Sequence, residues 1–420
     1  MNNNAIPLPK GFTWTTIPLN QPINTSEPNS ESVILASANN TTSTESVVSA
    51  DIQDRLYKFL KNHYVANSTL RMEYSADYLS WLLSWNSNVT LYNNEDSLYK
   101  GPLLFSLAIV SEKKPHGSIY GYISGLPINC IIDGERKLVL LVNLLCVHSK
   151  LREKRMAGVL ISELKRKVSI HGIDCSMNTS GAYYERFNRC SVKYCHRALN
   201  APKLIDLGYW ECRENPAKKR DEVAQGDRNF EIRMLLKSLD PDSMRDGIEP
   251  VTEMVIEELQ QFLIKEMNGR YRVKYDFSDI NLVRNMFSII PNVNYTFFRR
   301  NTDGVIVDIY SFTLIMSNLI NSDQNLLRAY GFHSVSTESI SENIRETMIM
   351  AKEFLGADEF IAIPTLQNED AITDRSLQFR EGSGDLHYNF RQWDLNKLDS
   401  SFIDWTIPMC NPNDIGVTMC

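Results

Sequence analysis

The chain has 420 residues, of which 43% are hydrophobic and 23% charged, with a net charge of −7. That is a globular composition with length for two cores or one large one. The acidic balance argues against a broad nucleic-acid-binding surface, and no apolar run approaches the roughly 20 residues that span a membrane.

Residues 1–50 form an N-terminal segment. Met1-Asn2-Asn3-Asn4 lacks the basic and apolar parts of a secretory signal. "LPKGFTW" is followed by a Ser/Thr/Asn-rich stretch with little to bury, so residues 21–50 are expected to be a disordered or loosely draped loop. Ile52, Leu56, Phe59 and Leu60 recur at helical spacing and predict an amphipathic helix over 51–63. Ser75 is placed to cap a second helix carrying Tyr78, Leu79 and Leu82. Strands over 103–110 and 118–125 follow, then a hairpin in which Asp133-Gly134 joins 128–132 to 137–147.

The stretch "VNLLCVHSKLREKR", residues 142–155, runs from that apolar strand into a cluster of Lys and Arg with no glycine to mark the turn. Met156, Val159, Leu160, Leu164 and Val168 then mark one face of a helix, Gly172 is placed to end it, and "IDCSMN" is the next strand. The result is a βαβ crossover in a sheet built mostly of hairpins. A polar run over 212–229 reads as a linker between halves spanning 51–211 and 230–420. The second half repeats the plan: a helix over 252–267, strands near 294–300 and 304–315, a helix over 341–354 and a strand over 359–363. The fold class expected is α/β (α+β). No basic turn recurs at the equivalent strand end.

Lys150, Arg152, Lys154 and Arg155, with His148 just before, crowd a helix entry beyond the carboxyl end of a strand. Unpaired amides and about half a positive charge already favour an anion there, and in α/β folds this is where ligands bind. The absence of GxxxxGK[ST] disfavours a nucleoside-triphosphate loop. A coenzyme A pyrophosphate suits the turn. Eight cysteines without a CxxC pair and seven histidines show no metal-ligand spacing, so reduced thiols in a cytoplasmic compartment, and no metal, are expected.

At this point the chain resembles eukaryotic N-myristoyltransferase. The stretches that carry the likeness are "LPKGFTW", "YVANSTLRMEYSADYLSWLL", "VNLLCVHSKLREKRMAGVLI", "YCHRALNAPKLID", "AYGFHSVST" and "IGVTMC". The resemblance implies two tandem acetyltransferase-like (GNAT-type) halves forming one compact molecule around a mixed, saddle-like sheet. The first half would bind acyl-CoA and the second would supply most of the peptide site. It also implies a monomer without cofactor that transfers myristate from myristoyl-CoA to the N-terminal glycine amine of client proteins. The acyl-CoA site would comprise Cys146, Val147, Lys150, Arg152, Glu153, Lys154, Arg155, Met156 and Ala157. The backbone amides of Leu144 and Leu145 would hold the developing oxyanion, which requires a local break in ladder pairing. Asn143 and Thr179 would hold the incoming amine. The proton would pass to the terminal carboxylate at Cys420, a weak base unless it is buried beside the amine. Tyr74, Tyr194, His196, Tyr209, Ser317, Tyr330, Gly384 and Leu386 would line the peptide groove.

Several positions depart from the family pattern. "LVNLLCVHS" has Leu144 where Phe is usual and lacks the acid at its first position, and "QFREGSG" has Ser383 in place of Asp. Ile361 stands where a groove Asn is usual. Met1 to Pro9 take the place of an aromatic segment that covers CoA, so CoA would be held more weakly or be covered by residues 21–50. Ala66-Asn67-Ser68-Thr69 replaces an acidic loop, which implies less preference for basic peptides. Two other readings stay open: an N-acyltransferase for a different acyl group, and a non-catalytic acyl-CoA or peptide binder.

Overall fold

The computed structural model describes residues 5–17, 44–64, 70–93, 97–214, 227–320, 322–395, 402–403 and 409–418. Most of the expected loop, Ala66–Thr69, much of the 212–229 linker and Cys420 lie outside the described residues. In chain order the first half holds β1 (Phe12–Thr16), α1 (Thr44–His63), β2 (Leu70–Glu73), α2 (Ala76–Leu82), β3 (Phe105–Ser111), β4 (Lys114–Ile132), β5 (Glu135–Val147), α3 (Met156–Ser169), β6 (Cys175–Ser180), β7 (Asn188–Ala198) and α4 (Ala201–Asp206). The second half begins with α5 (Arg228–Leu236), β8 (Ile248–Pro250), α6 (Ile256–Met267), β9 (Val273–Tyr275) and α7 (Ile280–Phe287). It continues with β10 (Asn294–Arg300), β11 (Ile306–Leu319), β12 (Asn325–Gly331), β13 (Val335–Ser336), α8 (Ile340–Glu353), β14 (Glu359–Ala362), α9 (Asn368–Thr373), β15 (Arg380–Trp393), β16 (Phe402–Ile403) and β17 (Ile415–Gly416).

Two expectations need correction. The helix expected to start at residue 51 starts at Thr44, so residues 44–50 are not loop. Ser, Thr and Glu cost a helix little, and propagation from an amphipathic core carries through them. The separate strands expected over 118–125 and 128–132 are the single strand β4, which runs through Pro127. Proline removes a ladder donor and belongs where one flank of a strand is unpaired. That is the situation here, because β3 pairs with β4 only as far as Gly125 and β9 begins to pair at Cys130.

All strands belong to one mixed sheet. Each half contains a parallel crossover over a helix, β5 to β6 over α3 and β12 to β14 over α8, and β17 pairs parallel with β9. The halves interlock. β15 of the second half lies between β6 and β7 of the first, and β7 then pairs with β14. One apolar core therefore runs through both halves, from Leu56 and Tyr78 to Ile415 and Val417.

The N-terminal segment is tied to this frame. β1 pairs antiparallel with β3, and the Ile6 amide donates to the buried Glu163 carboxylate on α3 at 2.9 Å. Arg166 donates to the same carboxylate at 2.7 and 2.9 Å. Burial works to raise the Glu163 carboxyl, but the hydrogen bonds from Arg166 and Ile6 hold it below the ordinary range. Glu163→Ala orphans both donors and is expected to cost about 1–3 kcal/mol in urea unfolding, with faster amide exchange at Ile6.

Candidate functional site

β5 and β6 pair only at Leu140–Ser176 and Leu141–Met177. Beyond that point β5 continues toward the basic turn paired with β4, while β6 continues paired with β15. The two strands part there, and Asn143 to Cys146 make no ladder pairs with β6. On its other flank β5 breaks register against β4: Ser124 faces Asn143 and Tyr122 faces Cys146, so Leu144 and Leu145 together oppose Ile123. Leu144 is buried and left-handed, with φ of 56°. A non-glycine residue held there stores strain of the order of 1–3 kcal/mol and disrupts the ladder locally. The Asn143 carbonyl is fixed by the Ser124 hydroxyl at 2.9 Å.

The turn after β5 bends without glycine because Glu153 and Arg155 both adopt left-handed backbone, with φ of 65° and 56°. Arg155 is the N-cap of α3 and makes no side-chain cap bond, so no side chain occupies the positive end of that helix. Lys150, Arg152, Glu153, Lys154, Arg155 and Ala157 are exposed around it, while Met156 is buried against the sheet. The Arg152 guanidinium is partly spent: it donates to the His63 carbonyl at the end of α1 at 2.6 Å. The His63 and His148 rings lie 4.2 Å apart. Burial lowers the proton affinity of His63, and His148 and Arg152 add to the effect. Burial also lowers that of His148, helped by Lys150 and Arg152. These groups disfavour further positive charge and suit an anion. Burial pushes the Cys146 thiol up to about 12 against the pull of Arg152, which makes it a packing residue and not a nucleophile.

A cavity of about 310 Å³ lies across the interlocked strands. It brings together Tyr74, Thr179, Tyr194, Tyr330 and Leu386, all expected at the acceptor site, with Tyr64, Tyr78, Phe332, Ile361 and Thr418. Tyr64 joins it to the β5 break. Burial pushes its phenol up to about 12, with the Leu144 backbone pulling the other way. Gly384 abuts Tyr194, with room for a Cβ at 3.5 Å from the ring. Ser317 is fully buried, its hydroxyl without a hydrogen-bond partner among the described residues.

His196 and Tyr209 assemble around a group that sequence reasoning missed. His196 Nδ1 lies 2.9 Å from the Glu359 carboxylate, and the Tyr209 hydroxyl donates to it at 3.2 Å. Arg328 donates to the same carboxylate at 2.7 Å, and Glu359 is fully buried. Gly382 packs so closely that a Cβ would lie 2.4 Å from His196 Nε2. His196 is thus locked to a buried carboxylate.

The family model for the N-terminal domain of myristoyl-CoA:protein N-myristoyltransferase matches residues 29–190, and that for its C-terminal domain matches residues 226–416. The chain belongs to this family. Glycylpeptide N-tetradecanoyltransferase 2 of Danio rerio is 26% identical, with 93% of this chain and 68% of the relative covered. The glycylpeptide N-tetradecanoyltransferase of Plasmodium falciparum is also 26% identical, over 87% of this chain and 79% of the relative. N-myristoyltransferase of Saccharomyces cerevisiae, solved with bound myristoyl-CoA, shares the fold at a TM-score of 0.73 and 17% identity, covering 100% of this chain and 92% of that one. The N-myristoyltransferase family places this chain among acyltransferases. Among the described residues, no helix is long and apolar enough to cross a membrane, and no cluster of three or more His, Cys, Asp or Glu could hold a metal.

Proposed function

We propose that this protein transfers a myristoyl group from myristoyl-CoA to the N-terminal glycine amine of a peptide. The observation that carries the reading is the break at Leu144–Leu145, set between an anion-suited turn and an aromatic cavity. The thioester would lie where β5 and β6 part. Its pyrophosphate would rest on the first amides of α3, with Lys150, Lys154 and Arg155 supplementing them. The amides of Leu144 and Leu145 would receive the carbonyl oxygen as it becomes an oxyanion.

An α-amine has an ordinary pKa of about 8, so at neutral pH it arrives mostly as ammonium and must lose a proton. His196 is poorly placed to take it, since it does not line the cavity that holds Thr179. The base assigned by resemblance is the carboxylate of Cys420, two residues after Thr418, which lines the cavity. Thr179 on β6 and Asn143 on β5 would hold the amine. The peptide would then follow the wall made by Tyr74, Tyr194, Tyr330 and Leu386. With Ile361 lining it, that wall is more apolar than a groove carrying an amide side chain.

Incubation of the purified protein with labelled myristoyl-CoA and a peptide beginning with glycine is expected to label the peptide on its α-amine. The same peptide with its N-terminus acetylated should remain unlabelled. A preparation that binds myristoyl-CoA but labels neither peptide would overturn acyl transfer and leave a binder. Labelling preferentially from shorter acyl-CoAs would change the acyl group assigned.

A further inference from the structure

The last described residues are threaded through the molecule. β17 lies parallel to β9, and the Leu366 amide donates to the Ile415 carbonyl at 3.2 Å. Ile415 and Val417 are fully buried. Beyond this strand, side chains from three separate places grip two consecutive residues. The Tyr388 hydroxyl on β15 donates to the Val417 carbonyl at 3.3 Å. The Tyr275 hydroxyl on β9 donates to the Thr418 carbonyl at 2.6 Å. Thr418 Oγ1 shares a 2.8 Å hydrogen bond with Nδ1 of His333, which sits between β12 and β13.

His333 is an expensive choice for its position. It is fully buried, and the rings of Phe332, Tyr275, Phe287 and Phe277 surround it with centroids 4.7 to 6.1 Å away. Its Nε2 has no hydrogen-bond partner among the described residues. An imidazole left half-satisfied in an aromatic cage costs free energy that a phenylalanine there would not. Burial pushes the ring down to about 3, against the pull of the Gly416 carbonyl, so it stays neutral at ordinary pH and the Thr418 bond does not titrate. What the imidazole supplies is direction. It fixes the rotamer of Thr418, the residue of this segment that lines the acceptor cavity.

We propose that His333, together with Tyr275 and Tyr388, is a positioning clasp that fixes the backbone and side chain of Thr418 in the wall of the acceptor cavity and thereby places the reacting amine for attack. The proposal rests on the acyl-transfer reading above. Two carbonyl bonds fix the strand's depth and the His333 bond fixes its rotation about its own axis. Reacting groups gain rate only within narrow limits of distance and angle, so a clasp of this kind acts on turnover and not on donor binding.

The test uses Thr418→Val, which keeps the shape and removes the hydroxyl, and His333→Phe, which keeps an aromatic ring in the cage and removes the ring nitrogens. Each is expected to lower kcat for transfer to a glycine peptide about tenfold, with KM for myristoyl-CoA unchanged. The double variant should be no slower than either single one, because both remove the same bond. Amide exchange at Gly416 to Thr418 should quicken in both. If His333→Phe fails to fold, Thr418→Val carries the test alone. A Thr418→Val protein with wild-type kcat and unchanged exchange overturns the clasp. A wild-type protein that transfers no acyl group overturns the functional reading and the clasp's effect on turnover together, whereas wild-type transfer with an unaltered Thr418→Val overturns the clasp alone.

Discussion

Replacing Leu144 by its α-hydroxy acid analogue, which exchanges the backbone N–H for oxygen, is expected to lower kcat for acyl transfer by about a hundred- to a thousandfold. The fold should survive, because the register shift already removes Leu144 from regular pairing with β4. The register shift coincides with a left-handed backbone at Leu144, with φ of 56°. Ordinary substitutions test this poorly. Proline cannot adopt that φ and would break the strand, while glycine would relieve the strain but empty the buried volume of the Leu144 side chain. The hydroxy acid retains both side chain and conformation. Single-turnover measurement separates the chemical step from product release, and myristoyl-CoA affinity should stay at the wild-type value. A loss smaller than about fivefold would show that the oxyanion is held elsewhere.

The sequence was legible wherever one hydrophobic period ran long enough. β5 into α3 changes from an apolar run to helical spacing, and the helix forms at Met156–Ser169. Ser75 caps α2 by accepting from the Tyr78 amide, the role its side chain and position suggested. The site was legible only through resemblance and only in part. Nothing local in "NLLCV" marks the register break, because the break is a relation between Leu144, Leu145 and Ile123 on another strand. Pro127 lies between the strands expected over 118–125 and 128–132, where β4 runs on with one flank unpaired. Glu359 sits in "DEFIAIP", where an apolar strand pattern hides a charge whose partners come from β7, β12 and the region after α4. Tyr64 and Thr418 belong to segments remote from each other in sequence, and only the interlocked sheet brings them to one cavity. Local propensity reads elements, whereas registers and charge partners are set by tertiary pairing.

The second large effect concerns that hidden charge. Glu359→Ala is expected to destabilise the protein by about 3–5 kcal/mol, because it leaves the Arg328 guanidinium buried without its counter-ion. Arg328 is itself only 6% exposed, and its Nε donates to Glu359 at 2.7 Å. Burial acts to raise the Glu359 carboxyl, but Arg328 and His196 outweigh it and hold the group below its ordinary range. A carboxyl depressed in the folded state stabilises above its unfolded pKa of about 4.3, and that contribution is lost as pH falls through the folded value. The wild-type protein should therefore lose more stability below pH 4 than Glu359→Ala does. Glu359→Ala with Arg328→Met should recover most of the loss, since removing both charges also removes the desolvation cost. Urea unfolding at neutral pH and below pH 4 compares the two variants with the wild-type protein. If the double variant were no more stable than Glu359→Ala, Glu359 would matter through His196 and Tyr209, whose hydrogen bonds the double variant does not restore. That result would relocate the role of the carboxylate from balancing a charge to shaping the wall that carries both side chains.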